Sequence, residues 1–146
     1  MIQLHRNYSN EKPSDSQFSK PEVLSYEEYL ALARIPHCEG ISARVISALH
    51  ARVGRLELSI TDIASDFGLS KRTLQRRLLE QNTNFALLRD DLRFHYSIKY
   101  LHEDQMTVDV ISKALDFSDR TSFTNAFKRW TGLSPSVFRK LFRDYI

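Results

Sequence analysis

Little in this sequence bends or staples a chain. Among 146 residues there are 4 glycines, 4 prolines, 1 tryptophan and 1 cysteine. With Cys38 alone, no disulfide closes within the chain and no cysteine zinc cluster forms, so a reducing cytoplasm is compatible. So few glycines and prolines mean few turns, as in an all-helical domain. No apolar run is long enough to cross a bilayer or act as a signal peptide. No P-loop or dinucleotide glycine pattern occurs, and His5, His37, His50, His95 and His102 lack metal-ligand spacing such as HExxH. His37 beside Cys38 has no orienting acid and no oxyanion donors. The expectation is a protein that is not an enzyme and uses no metal and no cofactor.

What is present is a repeat. Ser59-Ile60-Thr61-Asp62-Ile63-Ala64-Ser65-Asp66-Phe67-Gly68-Leu69-Ser70 returns as Thr107-Val108-Asp109-Val110-Ile111-Ser112-Lys113-Ala114-Leu115-Asp116-Phe117-Ser118, at an offset of 48 residues. Leu74 and Leu78 then match Phe123 and Phe127 at offset 49, and Asn82 and Asn84 match Gly132 and Ser134 at offset 50. Ser59 and Thr107 are N-cap residues, and Asp62 places a carboxylate in the first turn. Ile60, Ile63 and Phe67, like Val108, Ile111 and Leu115, share one helical face. Gly68 ends the first helix because glycine reaches positive φ without a clash, and Asp116 is one of the few other types that tolerate that conformation. Leu69 or Phe117 plugs the turn, Ser70 or Ser118 is able to cap again, and a second amphipathic helix follows. Helix, tight turn and capped helix make a helix-turn-helix unit, here twice.

The outward faces of the second helices carry the chemistry. With Leu74 and Leu78 inward, Lys71, Arg72, Gln75, Arg76 and the end of Arg77 face away from the core. Arginine pairs in bidentate fashion with guanine O6 and N7, and glutamine with adenine N6 and N7, so this face suits base edges in a major groove. In the second copy Phe123, Phe127 and Trp130 face inward, Trp130 as core rather than as a base-stacking residue. Arg120, Thr121, Thr124, Asn125 and Lys128 remain outward. Charge agrees: residues 1–40 hold 4 Lys+Arg against 6 Asp+Glu, whereas residues 41–146 hold 17 against 12, a net +5 in the repeat region. That excess favours a polyanion. Expected phosphate contacts are Lys71, Arg77, Lys99, Lys113, Lys128 and Lys140, with Arg44 a further candidate.

These motifs carry a family resemblance. Asp62-Ile63-Ala64, Gly68 to Leu78, Phe117 to Phe123, and Ala126 to Pro135 with Phe138-Arg139 resemble the DNA-binding domain of the AraC/XylS transcription regulators, over about residues 44 to 143. The resemblance implies seven helices in two helix-turn-helix subdomains on a linker helix, both recognition helices entering major grooves. Carried over position by position, Arg72, Gln75 and Arg76 match base-reading positions of the first recognition helix, and Arg120, Thr121, Thr124 and Asn125 those of the second. Three residues depart from the pattern: Asp116 replaces the turn glycine, Ser112 a small apolar alanine, and Asn125 a common arginine. The expected consequence is a less stable second unit with weaker or different base reading, so most specificity rests on the first recognition helix.

The expected organisation is an N-terminal extension at 1–40, flexible over 5–21 and then one short helix, followed by a DNA-binding domain at 41–146. Within that domain the first helix-turn-helix spans 59–82, a linker helix 84–103, the second helix-turn-helix 107–132 and a C-terminal helix 134–143. Ser25 with Glu28 forms a capping box for a helix in which Tyr26, Tyr29, Leu30 and Ala33 share helical spacing; a lid on the core is the first reading of it, with a docking element or a dimer contact as alternatives. A helix from Ile41 to Arg52 follows, with Val45, Ile46 and Leu49 toward the core. Asn84 caps the linker helix, in which Phe85, Leu88, Leu92 and Tyr96 form one row and Ile98 and Leu101 extend another side. From Phe85 to about His102 it is roughly 27 Å long, a little under the roughly 34 Å of one duplex turn, so both units fit adjacent major-groove segments of one face. Ser134 and Pro135 start the last helix, whose Val137, Phe138, Leu141 and Phe142 are expected to pack on the second unit.

The reading is a sequence-specific double-stranded DNA-binding transcription regulator of bacterial type, cytoplasmic and nucleoid-associated. RNA polymerase is an expected partner, no membrane is involved, and a homodimer stays open. The alternative is a protein-interaction module that inhibits or heterodimerises with a related regulator. The chain is either a stand-alone regulator or the end of a longer one.

Overall fold

A computed structural model describes residues 23–145; the flexibility expected of residues 5–21 lies outside them. Among the described residues the chain is all-helical: α1 Tyr26–Leu32, α2 Gly40–Arg52, α3 Ile60–Asp66, α4 Lys71–Glu80, α5 Phe85–Ile98, a π-helical turn Lys99–Glu103, α6 Val108–Ala114, α7 Arg120–Thr131 and α8 Pro135–Leu141. The linker therefore runs unbroken to Glu103, but its last turn widens from the α to the π pattern.

Side-chain caps start most of these helices. Ser25, Ser59, Ser70, Asn84, Thr107 and Ser134 each accept a backbone N–H three residues on. The cap of α7 is Asp119 and not Ser118: Asp119 Oδ1 accepts the Ser122 N–H at 2.7 Å, while the Ser118 hydroxyl meets that of Ser122. The residue inserted in the second copy thus lies in its turn, and Asp119 is the counterpart of Ser70. Helix α2 has no cap from Glu39; Gln81, beyond the end of α4, accepts the N–H and hydroxyl of Ser42 and donates to the Glu39 carbonyl.

Two cores lie along the linker. Val45, Ile46, Leu49, Leu58, Ile63, Ala64, Leu74 and Leu78 pack on Phe85, Leu88 and Leu92 of α5. Further along, Phe94, Ile98 and Leu101 meet Ile111, Leu115, Phe123, Phe127, Phe138 and Phe142. Helix α1 covers this second core through Tyr26, Tyr29 and Ala33, and the Tyr29 hydroxyl donates to the Thr131 carbonyl at 2.9 Å. The lid expectation holds, though Leu30 points to solvent. In α8 Pro135 and Phe138 are buried, as is Phe142 at its C-cap; Val137 and Leu141 are exposed, because a seven-residue helix resting on one core turns a single row, Phe138 and Phe142 at i and i+4, toward it. Trp130 is half-buried, stacked on Phe94 at 5.3 Å.

Candidate nucleic-acid interface

Helix α4 is held by its back. Leu74 and Leu78 are fully buried, and Ser70 fixes the first turn. Lys71, Arg72, Gln75, Arg76 and Arg77 are all exposed. Arg72, Gln75 and Arg76 stand at i, i+3 and i+4 and so form one stripe, while Arg77, one residue round, flanks it. The same stripe continues at i+7 to Leu79, the most exposed large apolar side chain among the described residues at 71%. The sequence reading missed Leu79. An apolar residue at a position where periodicity predicts solvent was the available signal.

Helix α7 is anchored by Phe123, Ala126 and Phe127 and ends at Gly132, whose φ of 77° glycine adopts freely. Thr121, Asn125 and Lys128 are exposed and Thr124 half-buried on the face opposite that core. Arg120 is exposed too but lies 3.8 Å from Asp109 of α6. Part of its charge is thereby answered within the unit. Arg129, on the flank, reaches Asp90 of the linker at 3.4 Å. Burial raises the Asp90 pKa, against the lowering effect of Arg129.

The outlying cations are scattered. Lys99 sits on the π turn beside the Tyr96 ring, Lys113 on α6 and Lys140 on α8, all exposed. Arg44 on α2 is exposed and lies over the Phe67 ring at 4.3 Å. The α4 and α7 residues therefore come together as two helical faces, whereas Lys99, Lys113 and Lys140 belong to three other elements.

The second turn is better supported than the sequence suggested. Asp116 takes the positive φ that Gly68 takes in the first unit, 57° against 69°. Its carboxylate also accepts the Leu58 N–H at 2.9 Å. Arg93 of the linker, buried against the Phe117 ring, donates to the Leu115 and Asp116 carbonyls, and burial pushes its pKa down to about 10, so it stays charged at neutral pH. Ser112 is satisfied as well, its hydroxyl donating to the Val108 carbonyl at 2.9 Å. The expectation of a less stable second unit took no account of Leu58 and Arg93, which come from distant parts of the chain, or of the local Val108 carbonyl. Among the described residues no cluster of His, Cys, Asp and Glu is arranged to hold a metal ion, and no helix is long and apolar enough to cross a membrane.

The geometry has counterparts in known proteins. A family model described as a helix-turn-helix domain matches residues 44–141. The chain is 36% identical over 101 residues to an uncharacterized HTH-type transcriptional regulator of Mycobacterium tuberculosis, covering 69% of this chain and 29% of that protein. It is 33% identical over 109 residues to the ornithine utilization regulator of Pseudomonas aeruginosa, covering 75% and 32%. The transcriptional regulator CdpR of Pseudomonas aeruginosa superposes with a TM-score of 0.63 at 29% identity, over 69% of this chain and 32% of that one. A DNA-binding transcriptional dual regulator of Escherichia coli shares the fold, with a TM-score of 0.64 at 16% identity over 71% and 99%. The chain spans about a third of the length of the curated relatives it matches.

Proposed function

Because this chain belongs to the AraC-type helix-turn-helix family of transcription regulators, we propose that it regulates transcription by inserting α4 and α7 into adjacent major-groove segments of double-stranded DNA. The observation that carries this reading is the exposed Arg72, Gln75 and Arg76 stripe on a helix whose other side is locked into the core. A rigid helix offering bidentate donors is what base-edge readout requires. Arg72, Gln75 and Arg76 carry most specificity, with Leu79 placed to meet a thymine methyl group. Arg120, Thr121, Thr124 and Asn125 contribute a second, weaker reading, since that face has fewer cations and Arg120 is engaged with Asp109. Lys71, Arg77, Lys99, Lys113, Lys128 and Lys140 contact phosphates, which orients the chain without reading sequence.

The chain acts noncovalently, in the cytoplasm at the nucleoid, with RNA polymerase as a partner and without catalysis or cofactor. A homodimer is compatible wherever the DNA site occurs in inverted copies. The interaction-module alternative drew on the departures at Ser112, Asp116 and Asn125. The side chains of the first two each have a hydrogen-bond partner within this chain and do not favour it. Selection of bound duplexes from a randomised pool by the purified chain tests the proposal. A bipartite consensus with halves about 10 base pairs apart is expected; a pool without enrichment overturns it.

A further inference from the structure

The turn of the second unit is tied to two other segments of the chain. The Gly54 N–H donates to the Ala114 carbonyl at 2.9 Å, the Leu58 N–H to the Asp116 carboxylate at 2.9 Å, and Arg93 to the Leu115 and Asp116 carbonyls. Gly54 and Leu58 lie in the segment between α2 and α3, so they belong to the first unit; the Leu58 side chain is fully buried in the first core. Arg89 of the linker reaches the Leu58 carbonyl at 3.4 Å. The two units are thus joined by direct bonds as well as by the helix between them.

Asp116 is the informative member of this junction. The backbone there requires positive φ, and Gly68 meets the same requirement in the first unit with no side chain at all. Glycine is the least strained solution. An aspartate adds an acceptor that reaches across to the first unit, a bond that glycine lacks. We propose that Asp116 is a positioning residue: it fixes the second helix-turn-helix unit against the first and so sets the half-site spacing the chain accepts. The spacing consequence rests on the DNA-binding reading above, while the fixed placement of the units does not.

The experiment uses the full chain and two variants. Asp116→Gly keeps the backbone conformation and removes the acceptor; Asp116→Asn keeps both, since an asparagine oxygen can take the Leu58 N–H. Distances are measured by electron–electron resonance between spin labels on Glu80→Cys and Ser136→Cys, both exposed, in a Cys38→Ser background. Affinity is measured on unlabelled protein for the selected DNA site and for the same site with one base pair inserted between its halves. The expected result is a narrow distance distribution in the parent and in Asp116→Asn and a broader one in Asp116→Gly. The affinity penalty for the insertion should fall by about tenfold in Asp116→Gly alone, the scale of one hydrogen bond to a charged group. A distribution as narrow in Asp116→Gly as in the parent overturns the proposal whatever the DNA result. A distribution that broadens in a parent background that selects no DNA site upholds the fixed placement and removes the DNA reading instead.

Discussion

The carboxylate of Asp116 accepts the backbone N–H of Leu58 at 2.9 Å across 58 residues of chain. One bond thereby links the turn of the second helix-turn-helix unit to the segment that enters the first. Arg93, from the helix between the units, closes the same junction.

Removing Arg93 leaves two carbonyls at that turn without their donor. Arg93→Met should cost roughly 1.5–3 kcal/mol of unfolding free energy, the range for a hydrogen bond to a charged group. Arg93→Lys should recover only part of it, because an ammonium does not reproduce the planar fork that spans both carbonyls. Urea denaturation followed by circular dichroism checks both values; equal stability of Arg93→Lys and the parent contradicts this account of the junction.

Helix α1 should be a stabilising lid. Tyr29 is buried, and its hydroxyl bonds the Thr131 carbonyl at the end of α7. Tyr29→Phe should cost about 1 kcal/mol and Tyr29→Ala about 3–5 kcal/mol, the second through the cavity left among Phe138 and Phe142. Denaturant unfolding of the two variants separates the hydroxyl from the ring. Loss of less than about 0.5 kcal/mol in Tyr29→Ala, the scale of an ordinary surface change, contradicts the lid.

Acid should weaken the start of α7. The backbone N–H of Ser122, and then its hydroxyl, hold the Asp119 carboxyl below its ordinary pKa. A carboxylate lowered in the fold adds stability that is present above its unfolded pKa, about 3.9, and is lost as pH falls through the folded value. Asp90, raised by burial, has the opposite sign: its contribution is lost as pH rises through its folded pKa. Melting temperatures of the parent and Asp119→Asn, compared at each pH from about 5 to 2.5, cancel the Asp90 effect. The parent should fall more steeply; parallel curves contradict the assignment.

On DNA, the two recognition helices should be unequal. Arg72→Ala and Arg76→Ala should each cost about 1–3 kcal/mol and relax base preference at the contacted position. Thr124→Ala and Asn125→Ala should cost less. Lys113→Ala should weaken binding to all sequences alike and reduce the salt slope by about 1. Titrations on selected and scrambled duplexes at several salt concentrations distinguish these outcomes.

Local chemistry was largely legible in the sequence. Ser25, Ser59, Ser70, Asn84, Thr107 and Ser134 act as caps because capping is settled within one turn, and the linker's apolar rows supply Phe85, Leu88 and Leu92 to the first core and Ile98 and Leu101 to the second. Asp119 escaped because the inserted residue shifted the register within the second turn. Val137 and Leu141 were expected inside, but which apolar residues of a short helix are buried depends on where its partner helices lie. The Leu58–Asp116 bond, the Arg93 fork and the Gln81 bonds to α2 join segments distant in sequence, which no periodicity encodes. For the candidate site, the α4 and α7 faces followed from helical spacing, and the same spacing marked Leu79 as outward although it was missed, whereas the pairing of Arg120 with Asp109 required the fold.

Guanine N7 methylation interference on the selected duplex tests the central claim most directly, since N7 lies only in the major groove. Two clusters of interfering guanines about 10 base pairs apart on one face of the duplex are predicted, the cluster under α4 disappearing in the Arg72→Ala, Arg76→Ala protein. Binding that is indifferent to methylation at every guanine N7 would contradict major-groove reading by these helices.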